Sequence, residues 1–484
     1  MKLKNHVADE HGLYEHELLV QAGTTVPVLP DTQLFVGPSY TLLFHSGDIY
    51  PVVRTTNPWS LGAAHTLYDL AGGAGTIAAG GRWHMAMFEQ GWIACNGACM
   101  VFQEPGGNVI VDTDAYPLTC CEVNGRAFFG GVGRYYTLTN AVSGANETLY
   151  GEALTNVADN WVQWCSVQGL DILWPQYPAR MMADHDTPAY DNDVGRAVQE
   201  DFKNQRGLSP TSGNGVVLCM KQLGNNAIAY TSDSIWAFLP VTVEPNYYAT
   251  FGKIKIADYG VMGRGAVCGD LQRHVFVDRL GMVRELRADF SLIDRGYEEF
   301  FVESWVASNA SELVAEWDAS RQRAYITGTY GAEVRTFVLT PSGLSMLGIE
   351  QVVTVAGVRD YAAGGAELQG LSVVTADDVF ELETDEMDLG QAGVKYVKSA
   401  YVGGTLPSDL TGKLFYRMSE QAAWSDTGWI AADKSGYIDF HQSCLDCRLA
   451  LTCGNYTQLQ LHTVLLEFDP VGKYTARDVL TRQS

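Results

Sequence analysis

The chain has 484 residues, 46% apolar and 18% charged, so it carries ample material for a core and wholesale disorder is excluded. Its formal net charge of −24 repels phosphate and excludes tight, sequence-independent nucleic-acid binding by the chain as a whole. Fifty glycines and 11% aromatic residues are the profile of a turn-rich β protein rather than a helical one.

At the N-terminus, Met1-Lys-Leu-Lys-Asn-His6 is not followed by an apolar stretch, so no secretory signal is expected. No run approaches the about 20 apolar residues that span a bilayer, and membrane insertion is not expected. Together these predict a protein made in the cytosol. Residues 1–35 are polar, then Pro-containing, and are expected to form an arm that partners order.

From residue 36 a unit recurs: apolar strand, tight turn, strand, turn, strand. One copy is His84–Phe88, Gly91–Cys95 and Ala98–Phe102; a second is Val216–Met220, Ala227–Tyr230 and Ser234–Phe238. A third is Ala266–Cys268, His274–Val277 and Gly281–Leu286; a fourth is Leu313–Trp317, Ala324–Ile326 and Arg335–Leu339. The last three copies begin 50 and 47 residues apart. Periods of about 40–50 residues with three or four strands are the signature of β-propeller blades, which bury their faces by radial stacking. Phe128-Phe-Gly-Gly131, Arg134-Tyr-Tyr-Thr-Leu138 and Trp161–Cys165 fit further blades between the first two copies. An irregular propeller of five to seven blades is expected over 36–390, without Kelch or WD consensus residues. One short helix is expected at Asp193–Phe202, where Val194, Ala197, Val198 and Phe202 share a face. From 391 to 484, alternating strands predict a compact β-sandwich.

No nucleophile elbow, phosphate-binding loop or dinucleotide fingerprint occurs. The ten cysteines lie largely in apolar runs, as small core residues do. The one metal-like spacing is His441, Cys444, Cys447 and Cys453, but Cys447, Leu449, Leu451 and Cys453 share one face of a strand, which favours core thiols over zinc. Asp184-His185-Asp186 and Asp191-Asn192-Asp193 could surround Ca²⁺, but lack the length and final Glu of an EF-hand; a solvated loop and helix cap is favoured. Trp424-Ser-Asp-Thr-Gly-Trp429 is similar to a single degenerate Asp-box turn of sialidases, and a plain β-turn is the simpler reading. His274 and Asp278, four apart on a strand, lie about 13 Å from each other, too far for a dyad. No catalytic, cofactor-binding or metal residue is therefore assigned, and no enzyme is expected.

Residues 194–286 resemble the propeller core of the tail nozzle and packaged-DNA stabilisation proteins of tailed bacteriophages. The resemblance is carried by Gly207, Gly215–Gly224, Ala227–Trp236, Phe251-Gly252 and Gly269–Gly281, with Trp164–Gly169 upstream. Arg448-Leu-Ala-Leu451 and Leu459–Phe468 look like the C-terminal sandwich of that family. It covers about half the chain and rests on structural patterns. It implies a virion protein made in the host cytoplasm, forming a ring, hexameric by the resemblance, in the neck or tail. Expected neighbours are a portal-side adaptor ring and tail fibre or needle proteins. DNA is expected to pass the lumen without tight binding, kept off the wall by acidic charge. The alternatives are a propeller glycan hydrolase or lyase, or a glycan-binding host-recognition protein.

Overall fold

A computed structural model describes residues 33–131, 207–298 and 313–470 apart from short gaps, together with short strands within 2–20 and 137–164. The helix expected at 193–202, the acidic loop at 184–195, Arg134-Tyr-Tyr136 and Cys165 lie outside the described residues.

The described residues form a seven-bladed β-propeller carrying a β-sandwich. Seven four-stranded units follow in chain order, each laid down mainly by consecutive hairpins. Their innermost strands are Gln33–Val36, His84–Phe88, Thr119–Val123, Val217–Leu223, Val267–Gly269, Val314–Asp318 and Gln351–Ala356. All four sequence copies correspond to blades, numbered two, four, five and six here. Blade two gains a fifth, parallel strand, Leu67–Tyr68, beside Val109–Asp112.

Local chemistry explains the hairpins. Between Val123 and Arg126 only Asn124 and Gly125 turn the chain, with φ of 52° and 77°. Two residues at positive φ are the type I′ solution that matches strand twist, and Asn-Gly is its preferred pair. Blades hold together through both faces of their sheets. Phe128, Trp164, Met220, Trp236 and Phe238 form a shared core of blades three and four. Leu42, Phe44, Trp83, Trp92 and Val101 do the same for blades one and two.

The ring closes with a strand from the opposite end of the sequence. Leu18–Val20 pairs antiparallel with Glu367–Ser372, with Leu19 opposite Leu371, and completes blade seven. Residues 2–20 of the segment read as an arm thus supply strands to three sheets, and its end enters the innermost strand of blade one. Lys2–Lys4 lies parallel to Gly343–Leu347 of blade six and antiparallel to Phe380–Glu383 of the sandwich. His6–Asp9 and Gly12–Glu15 form a hairpin that pairs with Gln460–Pro470. One continuous sheet therefore runs from blade six through Lys2–Lys4 to Phe380–Glu383, Asp446–Cys453 and Thr411–Arg417.

The sandwich begins with Phe380–Glu383, about ten residues before the expected boundary at 391. Its second sheet contains Lys395–Thr405, Tyr437–Cys444 and Gln460–Pro470. Phe380, Leu382, Val397, Leu414, Ile438 and Leu451 fill the space between the sheets. Tyr325 and Val338 of blade six belong to the same core, so the two units share apolar packing as well as a sheet.

Candidate functional site

The propeller axis holds a cavity of about 440 Å³, lined from the innermost strands of six blades and the loops beside them. That volume lies within the range of small-molecule pockets. Leu271 lines the cavity and is 54% exposed, so the cavity meets solvent there.

Five charged side chains lie in its wall: Arg82, Lys221, Arg264, Asp270 and Glu316. Arg82, just before blade two, forms an ion pair with Glu316 of blade six, nearly opposite in the ring. Glu316 shows surface to the cavity rather than to bulk water, and this enclosure raises its carboxyl above the ordinary value despite Arg82 and Lys221. Asp270 Oδ1 accepts the amides of Gln272 and Arg273 at 2.8 and 3.0 Å, and its Oδ2 accepts Trp317 Nε1 at 3.0 Å. Both carboxylates are thus committed to the fold.

Arg264 bridges three parts of the ring. Its Nη1 donates to Asn96 O at 2.9 Å, and its Nη2 donates to Arg82 O at 2.7 Å and to Leu118 O. All three acceptors are neutral carbonyls. The Lys221 side chain forms neither a hydrogen bond nor an ion pair among the described residues. It sits on the innermost strand of blade four, where its neighbours Met220 and Leu223 are buried.

Two histidines border the site, and both are neutral. His274 is 1% exposed; its Nδ1 accepts Tyr230 OH at 2.8 Å and its Nε2 donates to Gln222 O at 2.8 Å. Burial, then the charge of Lys221, lowers its pKa to about 3. His84 Nδ1 lies 2.8 Å from the Thr119 hydroxyl, which already accepts Met220 N–H at 2.8 Å. The other ring nitrogen, Nε2, is buried with no hydrogen-bond partner among the described residues. Burial, then Arg264, Arg82 and Lys221, hold His84 well below the ordinary value.

Elsewhere, the candidate residues read from sequence fall into structural roles. Asp278 is fully buried, accepts the amides of Leu280 and Met282 at 2.8 and 3.0 Å, and pairs with Arg284 Nε at 2.7 Å. His441 is exposed and stacks on Tyr396, with ring centroids 6.2 Å apart. Cys444, Cys447 and Cys453 are buried in the sandwich core, Cys444 on one sheet and the other two on the facing sheet. Among the described residues no three His, Cys, Asp or Glu side chains converge as a metal site would require. In the turn at 424–429, Asp426 Oδ1 accepts Gly428 N–H at 2.8 Å and Gly428 takes φ 72°. Cations and rings alternate across this face: Arg448 lies 4.4 Å from the Trp424 centroid and 5.2 Å from Phe415, and Lys413 lies 4.9 Å from Trp429. Trp429 is half exposed.

Nine thiols are free and buried. Burial pushes Cys99 up to about 11 and Cys453 up to about 12, and raises Cys95, Cys121, Cys219 and Cys268. Cys447 donates to Cys444, which keeps Cys447 protonated and lowers Cys444, itself sealed from solvent. These nine thiols should react with Ellman's reagent at pH 8 on the order of 100-fold more slowly in the native protein than after unfolding. Fast native labelling of any of them, located by mass spectrometry, would contradict this arrangement.

The sequence reading missed the axial cluster. The available signal was a charge inside the first strand of a blade, Lys221 after Val217–Met220 and Glu316 after Val314-Ala315.

No family model and no curated protein matches the chain. Among solved structures, it is similar to BamB from Moraxella catarrhalis at 7% identity, covering 75% of this chain and 99% of that one, with a TM-score of 0.35. PorZ, a surface component of the type-IX secretion system of Porphyromonas gingivalis, matches at 11% identity over 86% of this chain, TM-score 0.34. This chain spans only 48% of PorZ. An exo-β-1,3-galactanase from Phanerochaete chrysosporium matches at 8% identity over 93% of this chain and all of that one, TM-score 0.27.

Proposed function

We propose that the chain is a virion structural protein of a tailed bacteriophage, one subunit of a ring in the neck or tail nozzle. The observation that carries this reading is the sheet shared by blade six and the sandwich through Lys2–Lys4. Domains joined only by a linker move relative to one another. A shared sheet with shared packing removes that freedom, as the wall of a pressurised conduit requires. The commitment of Asp270 and Glu316 to structural bonds favours a structural role over hydrolysis, which needs carboxylates available to substrate.

In this reading DNA does not follow the propeller axis. A sphere of about 440 Å³ is about 9 Å across, narrower than the about 12 Å major groove of a duplex alone. The conduit therefore lies between copies of the chain, and the net charge of −24 keeps phosphates from adhering to its wall. The ring meets an adaptor on its portal side and fibre or needle proteins on the other, and the protein resides in the virion after synthesis in the host cytoplasm.

A second reading, glycan binding at the host surface, is favoured by one observation: the row of Trp424, Phe415 and Trp429 interleaved with Arg448 and Lys413. Such rings stack on sugars as well as on cations. Light scattering with negative-stain imaging separates the two. A ring of about six copies of 52.9 kDa, with no retention of duplex DNA at low salt, is the expected result. A monomer at every concentration that also binds a glycan panel would replace the ring with the second reading.

A further inference from the structure

We propose that the axial cavity is a binding site for a small oxyanion, a phosphate or the carboxylate group of a small molecule, held by Lys221 and Arg264. The inference is independent of the ring reading.

It begins from charge balance. The wall carries three cations and two carboxylates. Glu316 is paired with Arg82, and Asp270 is held by two amides and Trp317, neutral donors that leave its charge in place. Neither Lys221 nor Arg264 forms an ion pair among the described residues, Lys221 acting on Glu316 only at longer range, and the wall keeps an excess of one positive charge in a chain whose net charge is −24. A protein so acidic does not collect unpaired cations on its axis for want of carboxylates. With three cations against two carboxylates, the cations of the wall repel one another and lose hydration without full compensation. An oxyanion between them removes both penalties.

The cations also converge. Lys221, Arg264 and Arg82 all act on the same neighbours, His84 and Cys219, so their fields overlap in one region of the wall. Arg264 is held by Asn96, Arg82 and Leu118 carbonyls and is therefore pre-oriented, whereas the Lys221 side chain is unconstrained by any bond and can close on a ligand. The volume of about 440 Å³ admits a small molecule, and Leu271 marks the way in.

The test uses the full chain, titrated calorimetrically with inorganic phosphate and, separately, with citrate, against sodium chloride of equal ionic strength. Binding of at least one oxyanion with a dissociation constant on the order of 1 mM or tighter is expected. Which of the two binds more tightly tells phosphate from carboxylate chemistry. Lys221→Gln should weaken that binding at least about tenfold, and Lys221→Arg should retain it. Because the Lys221 side chain makes no bond in the fold, Lys221→Gln should melt in chloride at the wild-type temperature or above. A lysine with a structural role would instead lower it. The absence of oxyanion binding by the wild type overturns the proposal. So does equal binding by wild type and Lys221→Gln, which would place the anion elsewhere. Should Lys221→Gln not fold, the wild-type titration and Lys221→Arg decide the matter alone.

Discussion

Arg264→Met is expected to cost about 3–5 kcal/mol of unfolding free energy, the largest loss from any single side chain on the axis. Its guanidinium, on the connection between blades four and five, is the common donor to carbonyls of Asn96, Arg82 and Leu118. Those acceptors lie in or beside blades two and three, so one side chain fastens three sectors of the ring. Methionine fills similar volume but donates nothing; Asn96 O keeps the Gly81 amide at 2.9 Å, but the Arg82 and Leu118 carbonyls lose the donor, at about 1–3 kcal/mol for each that water cannot reach. Gly81 and Gly97 show how closely the site is built: a Cβ added at Gly81 would fall inside contact distance of Arg264 Nη1. Arg264→Lys keeps the charge but offers a single ammonium where a planar fork spans three acceptors, and it should recover less than half of the loss. Urea denaturation checks both. A lower midpoint with an unchanged slope reports lost stability, and a midpoint within about 0.5 kcal/mol of wild type would show that the clamp contributes little.

The propeller was legible because each blade announces itself locally. Val217–Met220, Ala227–Tyr230 and Ile235–Phe238 are short apolar strands separated by Gly-Asn and Ser-Asp turns, and the pattern returns after about 50 residues. What escaped the sequence is what the chain assembles over long distances. Leu18–Val20 is three residues long, too short for any alternation to register, and its partner lies some 350 residues away. Its role is set by the unpaired edge of blade seven, which no local pattern reveals. The same holds for the axial site. Arg82 and Glu316 are 234 residues apart, and each alone is an ordinary charged residue beside a strand. The cysteines at 444–453 were legible for the converse reason, the strand alternation of Cys447, Leu449, Leu451 and Cys453 outweighing the metal-like spacing. They are near in sequence, and the turn at Leu445 sends Cys444 and Cys447 into facing sheets, where they meet as core thiols.

The second large effect is acid sensitivity above the range in which carboxylates titrate. His274 is buried, fully hydrogen-bonded as a neutral ring, and titrates at about 3 in the fold against about 6.5 in an unfolded chain. Between those values the unfolded state binds a proton that the native state does not. Stability therefore rises with pH and is lost as pH falls below about 6.5, by up to about 1.4 kcal/mol per unit. His84 is displaced in the same direction. From pH 7 to pH 5 His274 is expected to remove about 2 kcal/mol, and His84 adds a loss in the same direction. Glu316 works the other way: burial raises its carboxyl, so protonation lower on the pH scale favours the fold and partly offsets the loss. Unfolding in urea at pH 7, 6 and 5 reads the slope directly. His274→Gln removes one titrating ring while leaving an amide to meet Tyr230 and Gln222. It should be less stable than wild type at pH 7, yet lose about 2 kcal/mol less on acidification from pH 7 to pH 5. If the two proteins lose stability in parallel, His274 is charged in the fold, and the Tyr230–His274–Gln222 chain does not hold it neutral.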